Sequence, residues 1–246
     1  MKFKWSGDSP SECGAGCTRW VTAVGLITSD TYRAFEDFAG THRMEGATIV
    51  LDSGGGSVLD AIKLGRRWRE LRVSTTIGMT VNMPSLGPGS SRAAILPEAF
   101  CESMCVFLML SGVNRYVPPA ANLRVHQIWM GDRAENARAA SYTAQDIAII
   151  ERDIGRIAKY TFDMGGSGDL LELALSVPPW NPLRRLTMDE IRKSNLTSVE
   201  TLSGVLPNID AQPIASASPL VGKPVQERFA NDPHQTADAT AGGSPQ

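Results

Sequence analysis

Apolar residues recur first at strand spacing and then at helix spacing, and this alternation repeats through the first part of the chain. Residues 19–28 favour a strand, and the segment that follows places its aromatic side chains on one face of a helix. Residues 46–51 form a nearly continuous apolar run, which is typical of a strand covered on both faces. Residues 57–71 return to helix spacing and residues 73–77 to strand spacing. This succession predicts parallel strands joined by right-handed crossovers.

The alternation continues beyond residue 100 with shorter elements. An apolar helix begins after Ser103, and two short strands follow, of which the second ends at His126. Residues 141–163 carry isoleucines at helix spacing and predict a long amphipathic helix. Residues 78–100, between the two halves, are rich in glycine, proline and serine and predict a long loop. Such loops in compact domains tend to be functional, so we expect this one to gate or narrow a substrate channel.

The two ends of the chain show no periodic pattern. Residues 1–17 are small and polar and predict a flexible arm, whereas residues 206–246 are rich in Ala, Pro, Ser, Gly, Asp and Thr. A segment of that composition cannot bury enough apolar surface to offset the entropy lost on ordering. We therefore expect a single α/β domain over residues 18–205, followed by a disordered tail.

Composition and charge narrow the function. The chain has 24 basic and 26 acidic side chains and a net charge of −2, so it has no electrostatic footprint for nucleic acid or an anionic membrane. No apolar run reaches the roughly 18 residues that a membrane helix needs. The N-terminus lacks the apolar core of a signal peptide, so the chain as written is expected in the cytoplasm. Neither a cofactor nor a metal is predicted.

The four cysteines form two pairs of equal spacing, Cys13 with Cys17 and Cys101 with Cys105. Paired cysteines are compatible with disulfides in an oxidising compartment, in which case the chain would be periplasmic and its start truncated. Links within the pairs and between them are both open, because residues four apart on a helix rarely suit a disulfide. Free buried thiols in a reducing cytosol are the alternative.

Candidate chemistry comes from three separated stretches. Ser103 stands at the head of an apolar helix, and His126 ends the strand that returns toward it. Serine is a poor nucleophile until a base takes its proton. Upstream, the strand over residues 46–51 leads into three consecutive glycines and then a helix. Residues 53–57, here called the glycine loop, can present backbone N–H groups to a developing oxyanion because glycines carry no Cβ.

The order of these motifs resembles that of the ClpP-type serine peptidases of the Clp/crotonase superfamily. The glycine loop between a strand and a helix, Ser103 opening an apolar helix, and His126 on the following strand appear in that order. The chain is most similar to uncharacterised bacterial ClpP-like proteins that place Cys-x-Ser-x-Cys around the serine. The resemblance covers residues 19–205 and implies a spiral of repeated β-β-α units.

The resemblance also implies an activity, namely hydrolysis of peptide bonds through a Ser-His centre. Ser103 would be the nucleophile and His126 its base, with the N–H groups of Gly55 and Met104 holding the oxyanion. No cofactor is implied.

A peptide or unfolded protein is the substrate that the resemblance implies. It would lie extended along the glycine loop at Gly54, Gly56 and Ser57. The helix over residues 141–163 resembles the one by which ClpP-type subunits pack together, so a homo-oligomer is expected.

The chain departs from the family at the triad acid, which fixes the histidine tautomer. The acid would fall near residues 178–181, where this chain has no carboxylate. Asn181 is the candidate third member there, and Asp132 and Asp169 are candidates from other loops. A bare dyad is also open. Two other functions follow from the same fold: a weak or inactive peptide-binding or assembly protein, and a crotonase-type acyl-CoA enzyme.

Overall fold

The computed structural model describes residues 1–8, 18–83, 92–130 and 141–207. Within these residues the chain is a mixed α/β protein with ten strands and six α-helices. The strands form one sheet of five, one of three and one of two. None of the helices described is long and apolar enough to cross a bilayer.

The five-stranded sheet supplies the frame on which the glycine loop is built. Its strands are β1 (Lys2–Gly7), β2 (Arg19–Val24), β3 (Thr48–Asp52), β4 (Ser74–Ile77) and β8 (Arg115–Tyr116), in the order β1-β2-β3-β4-β8. Strands β2, β3, β4 and β8 are parallel, which confirms the predicted pairing, and β1 lies antiparallel to β2. Every residue of β3 is buried, as its unbroken apolar run indicated.

Six helices accompany the sheets. They are α1 (Thr31–Gly40), α2 (Val58–Glu70), α3 (Met104–Met109), α4 (Ala144–Asp163), α5 (Gly168–Leu175) and α6 (Met188–Lys193). The predicted aromatic face of α1 is confirmed at Phe35, which is fully buried and packs edge-on against Trp68 of α2 at 5.9 Å between ring centroids. Ser57 caps α2 by accepting the N–H of Asp60, so the last residue of the glycine loop also begins this helix.

Two smaller sheets hold the rest of the strands. The three-stranded sheet has the order β10-β9-β7 and consists of β7 (Phe100–Glu102), β9 (Asn122–Val125) and β10 (Arg184–Arg185). Strands β7 and β9 are parallel, with Glu102 opposite Arg124. That register brings the end of β7 beside the end of β9, where Ser103 and His126 follow.

The segment predicted as one long loop, residues 78–100, is largely a hairpin. Strands β5 (Met79–Met83) and β6 (Arg92–Leu96) pair antiparallel, and residues 84–91 between them lie outside the described residues. Trp20 of β2 donates its indole N–H to the Thr80 hydroxyl at 2.8 Å, which ties the hairpin to the main sheet. The glycines and prolines that suggested a loop are concentrated in the connection rather than in the strands.

Both predicted ends of the domain need correction. Residues 1–17 were expected to be a flexible arm, but Lys2–Gly7 pairs with β2, and Phe3 packs against Phe35 at 5.3 Å between ring centroids. The predicted tail included Leu206, which is instead buried together with Trp20 in the folded part of the chain. Residues 208–246 lie outside the described part of the chain.

Arg69 joins three helices near the centre of the fold. Its guanidinium donates hydrogen bonds to the carbonyl oxygens of Leu110, Ser111, Gly112 and Met164, at 2.7 to 3.3 Å. These are carbonyls at the C-terminal ends of α3 and α4, which lack partners within their own helices. Arg69 therefore holds the end of α3, and with it the segment that follows Ser103, against α2.

Candidate active site

Ser103 occupies a sharp turn between β7 and α3. Its backbone N–H donates to the carbonyl of Arg124 at 2.8 Å, and the N–H of Glu102 donates to the carbonyl of Ser53 at 2.9 Å. Ser103 itself has φ of 52° and ψ of −123°, a conformation that residues other than glycine rarely adopt. Backbone strain of this kind persists where the surrounding structure enforces it, and it clusters at functional sites. We call residues 101–105 the serine turn.

The glycine loop packs directly against the serine turn. Gly55 has a φ of 86°, and a Cβ added to it would lie 2.5 Å from the carbonyl oxygen of Glu102 and 2.8 Å from the Cβ of Ser103. Only glycine satisfies both the conformation and the close approach. Glycine is therefore required here by the close approach to Ser103 rather than by a general need for flexibility.

The hydrogen bonds of the glycine loop change the oxyanion assignment. The Gly55 N–H, predicted as a donor, already donates to the Ser53 hydroxyl at 3.1 Å. Ile27 donates to the Gly55 carbonyl at 2.7 Å and accepts from the N–H of Ser57 at 2.9 Å. Gly56 lies between these two hydrogen bonds, so its own N–H and C=O are not used in the pairing with Ile27.

Gly56 and Met104 are among the backbone donors at the site. Neither N–H has a hydrogen-bond partner among the described residues, and both residues line the cavity beside Ser103. Met104 is the first residue of α3, where a backbone N–H has no acceptor within the helix. Met104 therefore stays a candidate oxyanion donor, and Gly56 is a second candidate beside the predicted Gly55.

One cavity of 580 Å³ is lined by most of the predicted site residues, although Gly55 does not line it. Its lining includes Ser103, Met104, His126, Asn181, Gly54, Gly56 and Ser57. Most of the other lining residues are apolar, among them Leu26, Phe107, Trp129 and Leu183. Ligand sites commonly have such a composition, with apolar walls around a few convergent polar groups.

His126 directly follows β9 and lies partly buried in this cavity. Burial lowers the pKa of its imidazole, and a backbone hydrogen bond with Gln127 opposes that shift. Trp129 stands edge-on to the ring at 6.2 Å between centroids. No hydrogen bond joins the Ser103 and His126 side chains in the described residues, as is common in sites that tighten only around a substrate. A neutral imidazole of this kind can accept a proton at neutral pH.

The lowered pKa of His126 predicts the pH dependence of any reaction at Ser103. His126 must be neutral to act as a base, so the rate should rise with pH along one titration. Its midpoint is expected below the ordinary value of 6.5, because burial disfavours the charged ring. The rate of phosphonylation of Ser103, measured across the acidic and neutral range, checks this. A midpoint above 6.5 would contradict the assignment of the base.

The three candidates for a third catalytic member differ in whether they line the cavity. Asn181 lines the same cavity as His126. Asp169 does not line it, since its carboxylate lies exposed at the start of α5 and accepts the hydroxyl of Ser167 at 2.9 Å. Asp132 lies outside the described residues.

Two carboxylates also line the cavity: Glu102, which the sequence offered only for crotonase-type chemistry, and Asp153, which was missed from the sequence. Glu102 pairs with Arg124 at 3.2 Å, and Asp153 of α4 accepts from Arg156 at 2.9 Å. A signal for Asp153 was available, because at helix spacing it falls on the same stripe as the buried Ile157. A carboxylate on an apolar stripe is unusual enough to suggest that it faces a cavity.

The structure shows how two of the four cysteines are paired. Cys101 and Cys105 form a disulfide within the serine turn, with 5.2 Å between their Cα atoms. The objection from helix geometry does not apply, since Cys101 belongs to β7 and only Cys105 to α3. Cys13 and Cys17 lie outside the described residues.

Neither a scan against models of known protein families nor a search of curated protein sequences finds a match to this chain. Its function is therefore argued from the geometry described above.

Proposed function

We propose that the protein is a serine peptidase of the ClpP-like class, which hydrolyses peptide bonds through Ser103 and His126. The observation that carries the proposal is the serine turn. A serine at positive φ heads a helix, in one cavity with a partly buried histidine and two backbone N–H groups that lack partners in the described residues. The ClpP-like spiral of repeated units is the finer fold that goes with this function.

The reaction would begin with transfer of the Ser103 proton to His126. The Ser103 oxygen then attacks the scissile carbonyl, and the N–H groups of Gly56 and Met104 stabilise the oxyanion. The tetrahedral intermediate collapses as His126 returns the proton to the leaving amine. A water, deprotonated by His126, then releases the acyl group from Ser103.

The substrate would be a peptide or unfolded protein bound in extended form. The N–H and C=O of Gly56 are not used in the pairing with Ile27, so they can pair with the backbone of a strand laid along the glycine loop. The walls formed by Leu26, Phe107 and Trp129 would accommodate an apolar side chain of that strand. Backbone pairing provides affinity here, and the apolar walls provide selectivity.

A fluorophosphonate probe tests the proposal, because it reacts with activated serines. We expect the wild type to be labelled at Ser103 and Ser103→Ala to be unlabelled. Ser176→Ala is the matched control, since Ser176 is exposed at the end of α5 and should not affect labelling. Mass spectrometry of the labelled peptide identifies the modified residue. A folded wild type that does not react would rule out the peptidase.

A peptide-binding protein without activity is the second candidate. It is favoured by one observation, namely that no carboxylate is hydrogen-bonded to the His126 ring among the described residues. An unlabelled but folded protein that binds extended apolar peptides would support it. A crotonase-type acyl-CoA enzyme is less well supported, because Glu102 beside the serine is committed to an ion pair with Arg124. Acyl-CoA turnover that survives Ser103→Ala would support that third function.

The homo-oligomer is proposed on the exposure of α4. The buried residues of this 20-residue helix, Ile157, Tyr160 and Thr161, all lie in its second half. In the first half, Ile147 is 48% exposed, and Ile150, one turn further along the same face, is only partly covered. A helix with an uncovered apolar stripe is expected to pack against another surface, and a second copy of the chain is the occupant that we propose.

Light scattering coupled to size-exclusion chromatography tests this interface. We expect Ile147→Glu to lower the mass of the assembly, because a carboxylate would be buried at the contact. Gln145→Glu is the matched control, since it adds the same charge on the opposite side of α4. If both variants retain the wild-type mass, this face of α4 is not the interface.

A further inference from the structure

The disulfide in the serine turn joins a strand to a helix across the candidate nucleophile. Cys101 lies in β7 and Cys105 in the first turn of α3, with 5.2 Å between their Cα atoms. Four residues of extended strand would span about 13 Å, so the chain must reverse between the two cysteines. The reversal coincides with Ser103, the residue with φ of 52°. The disulfide therefore closes a short loop around Ser103, and the candidate site depends on the positive φ of this residue.

Non-covalent contacts hold the two sides of this reversal to different neighbours. On the strand side, the N–H groups of Glu102 and Ser103 donate to the carbonyls of Ser53 and Arg124. On the helix side, Arg69 holds the end of α3, and the Met104 N–H has no partner among the described residues. Besides the backbone itself, the disulfide is the covalent connection between the two sides. Both of its cysteines are fully buried and neither lines the cavity, so the pair lies behind the serine rather than in the path of a substrate.

We propose that the Cys101–Cys105 disulfide is a positioning device that keeps Ser103 at positive φ, with its hydroxyl at the cavity. Reduction by a dithiol converts the bond into two cysteine thiols, while the dithiol closes to a cyclic disulfide. The reduced turn is then free to relax, and the reactivity of Ser103 falls. The effect on reactivity rests on the proposed peptidase function, whereas the effect on backbone conformation does not.

The effect on backbone conformation can be tested without any enzymatic activity. The test compares melting temperatures in the oxidised protein and in a variant that lacks the disulfide. Glycine adopts positive φ without strain, so Ser103→Gly relieves strain only where the disulfide enforces that conformation. The change in Tm caused by Ser103→Gly should therefore be more favourable in the oxidised protein than in Cys101→Ala/Cys105→Ala. The expected difference is roughly 2 to 10 °C. Equal changes in both backgrounds would overturn the proposal.

A second measurement covers the case in which a cysteine-free chain does not fold. The ratio of reduced to oxidised dithiothreitol that half-reduces the Cys101–Cys105 pair is compared between the wild type and Ser103→Gly. In the wild type, reduction lets the strained Ser103 relax, which favours the reduced form, whereas in Ser103→Gly there is no strain to relieve. Ser103→Gly should therefore need a ratio of reduced to oxidised dithiothreitol about 5- to 150-fold higher. An unchanged ratio would overturn the proposal.

Fluorophosphonate labelling tests the effect on reactivity. We expect Cys101→Ala/Cys105→Ala to react with the probe about 5- to 150-fold more slowly than the oxidised wild type. Two controls should keep the wild-type rate: Ile191→Val, which removes one buried methyl from α6, and Cys13→Ala/Cys17→Ala, which removes the other pair. A wild-type rate in the Cys101→Ala/Cys105→Ala chain would overturn the proposal. If the wild type itself is not labelled, the peptidase function fails, and the Tm comparison and the dithiothreitol ratio decide the positioning role.

Discussion

Replacing His126 by alanine is expected to lower the rate of Ser103 phosphonylation by about 10² to 10⁴, the contribution typical of a positioned general base. His126 and Ser103 line one cavity, and burial lowers the pKa of the imidazole, so the ring is a neutral proton acceptor at neutral pH. Without it, the serine would have to lose its proton to water. Rates of labelling by a fluorophosphonate, followed for Ser103 alone by mass spectrometry, measure the effect.

The chain provides a matched control for this substitution. His42 is exposed, its Nδ1 bonds the carbonyl of Phe38 and the hydroxyl of Thr41, and it does not line the cavity. His42→Ala should leave the labelling rate unchanged. If His126→Ala reacts as fast as the wild type while its fold is intact, another group activates the serine. Asp153 and Asn181 would then be the first residues to test, since both line the cavity.

Much of the fold could be predicted because its strands and helices are marked by local spacing of apolar residues. Helix α2 carries its buried residues Ala61, Leu64 and Trp68 at intervals of three and four, and the structure begins and ends it within a residue or two of the predicted bounds. Strand β1 shows the same kind of signal, since Phe3 and Trp5 alternate with lysines. That signal was outweighed by the polar residues that follow, which made the whole N-terminus look like an arm.

The details of the site depend on contacts between residues that are distant in sequence. Whether a glycine N–H is free depends on the Ser53 hydroxyl and on Ile27, and no local pattern reports either contact. The serine, by contrast, carries local signals, because it separates a strand from an apolar helix. Likewise, the disulfide could not be assigned from spacing alone, since the boundary between β7 and α3 decides whether Cys101 and Cys105 can meet.

Replacing Gly55 by alanine is expected to lower both stability and reactivity. The φ of 86° is strained for any residue with a Cβ, and that Cβ would lie 2.5 Å from the Glu102 carbonyl oxygen and 2.9 Å from the Met104 nitrogen. These two atoms and the Ser103 Cβ, at 2.8 Å, all belong to the serine turn. The added Cβ would therefore force the glycine loop and the serine turn apart. We expect a loss of about 2 to 4 kcal/mol in the free energy of unfolding. Labelling should slow by roughly 10², the effect of misplacing catalytic groups by about 1 Å.

Gly46→Ala separates the two causes of this effect. Gly46 also has a positive φ, 69°, but an added Cβ would meet no atom within 4 Å. Gly46→Ala therefore introduces backbone strain without a clash. We expect a loss of about 1 to 2 kcal/mol in the free energy of unfolding and an unchanged labelling rate. Denaturant unfolding measures the first quantity and probe kinetics the second. If Gly55→Ala proved no worse than Gly46→Ala in either measurement, the glycine loop would not be packed against the nucleophile as the structure shows.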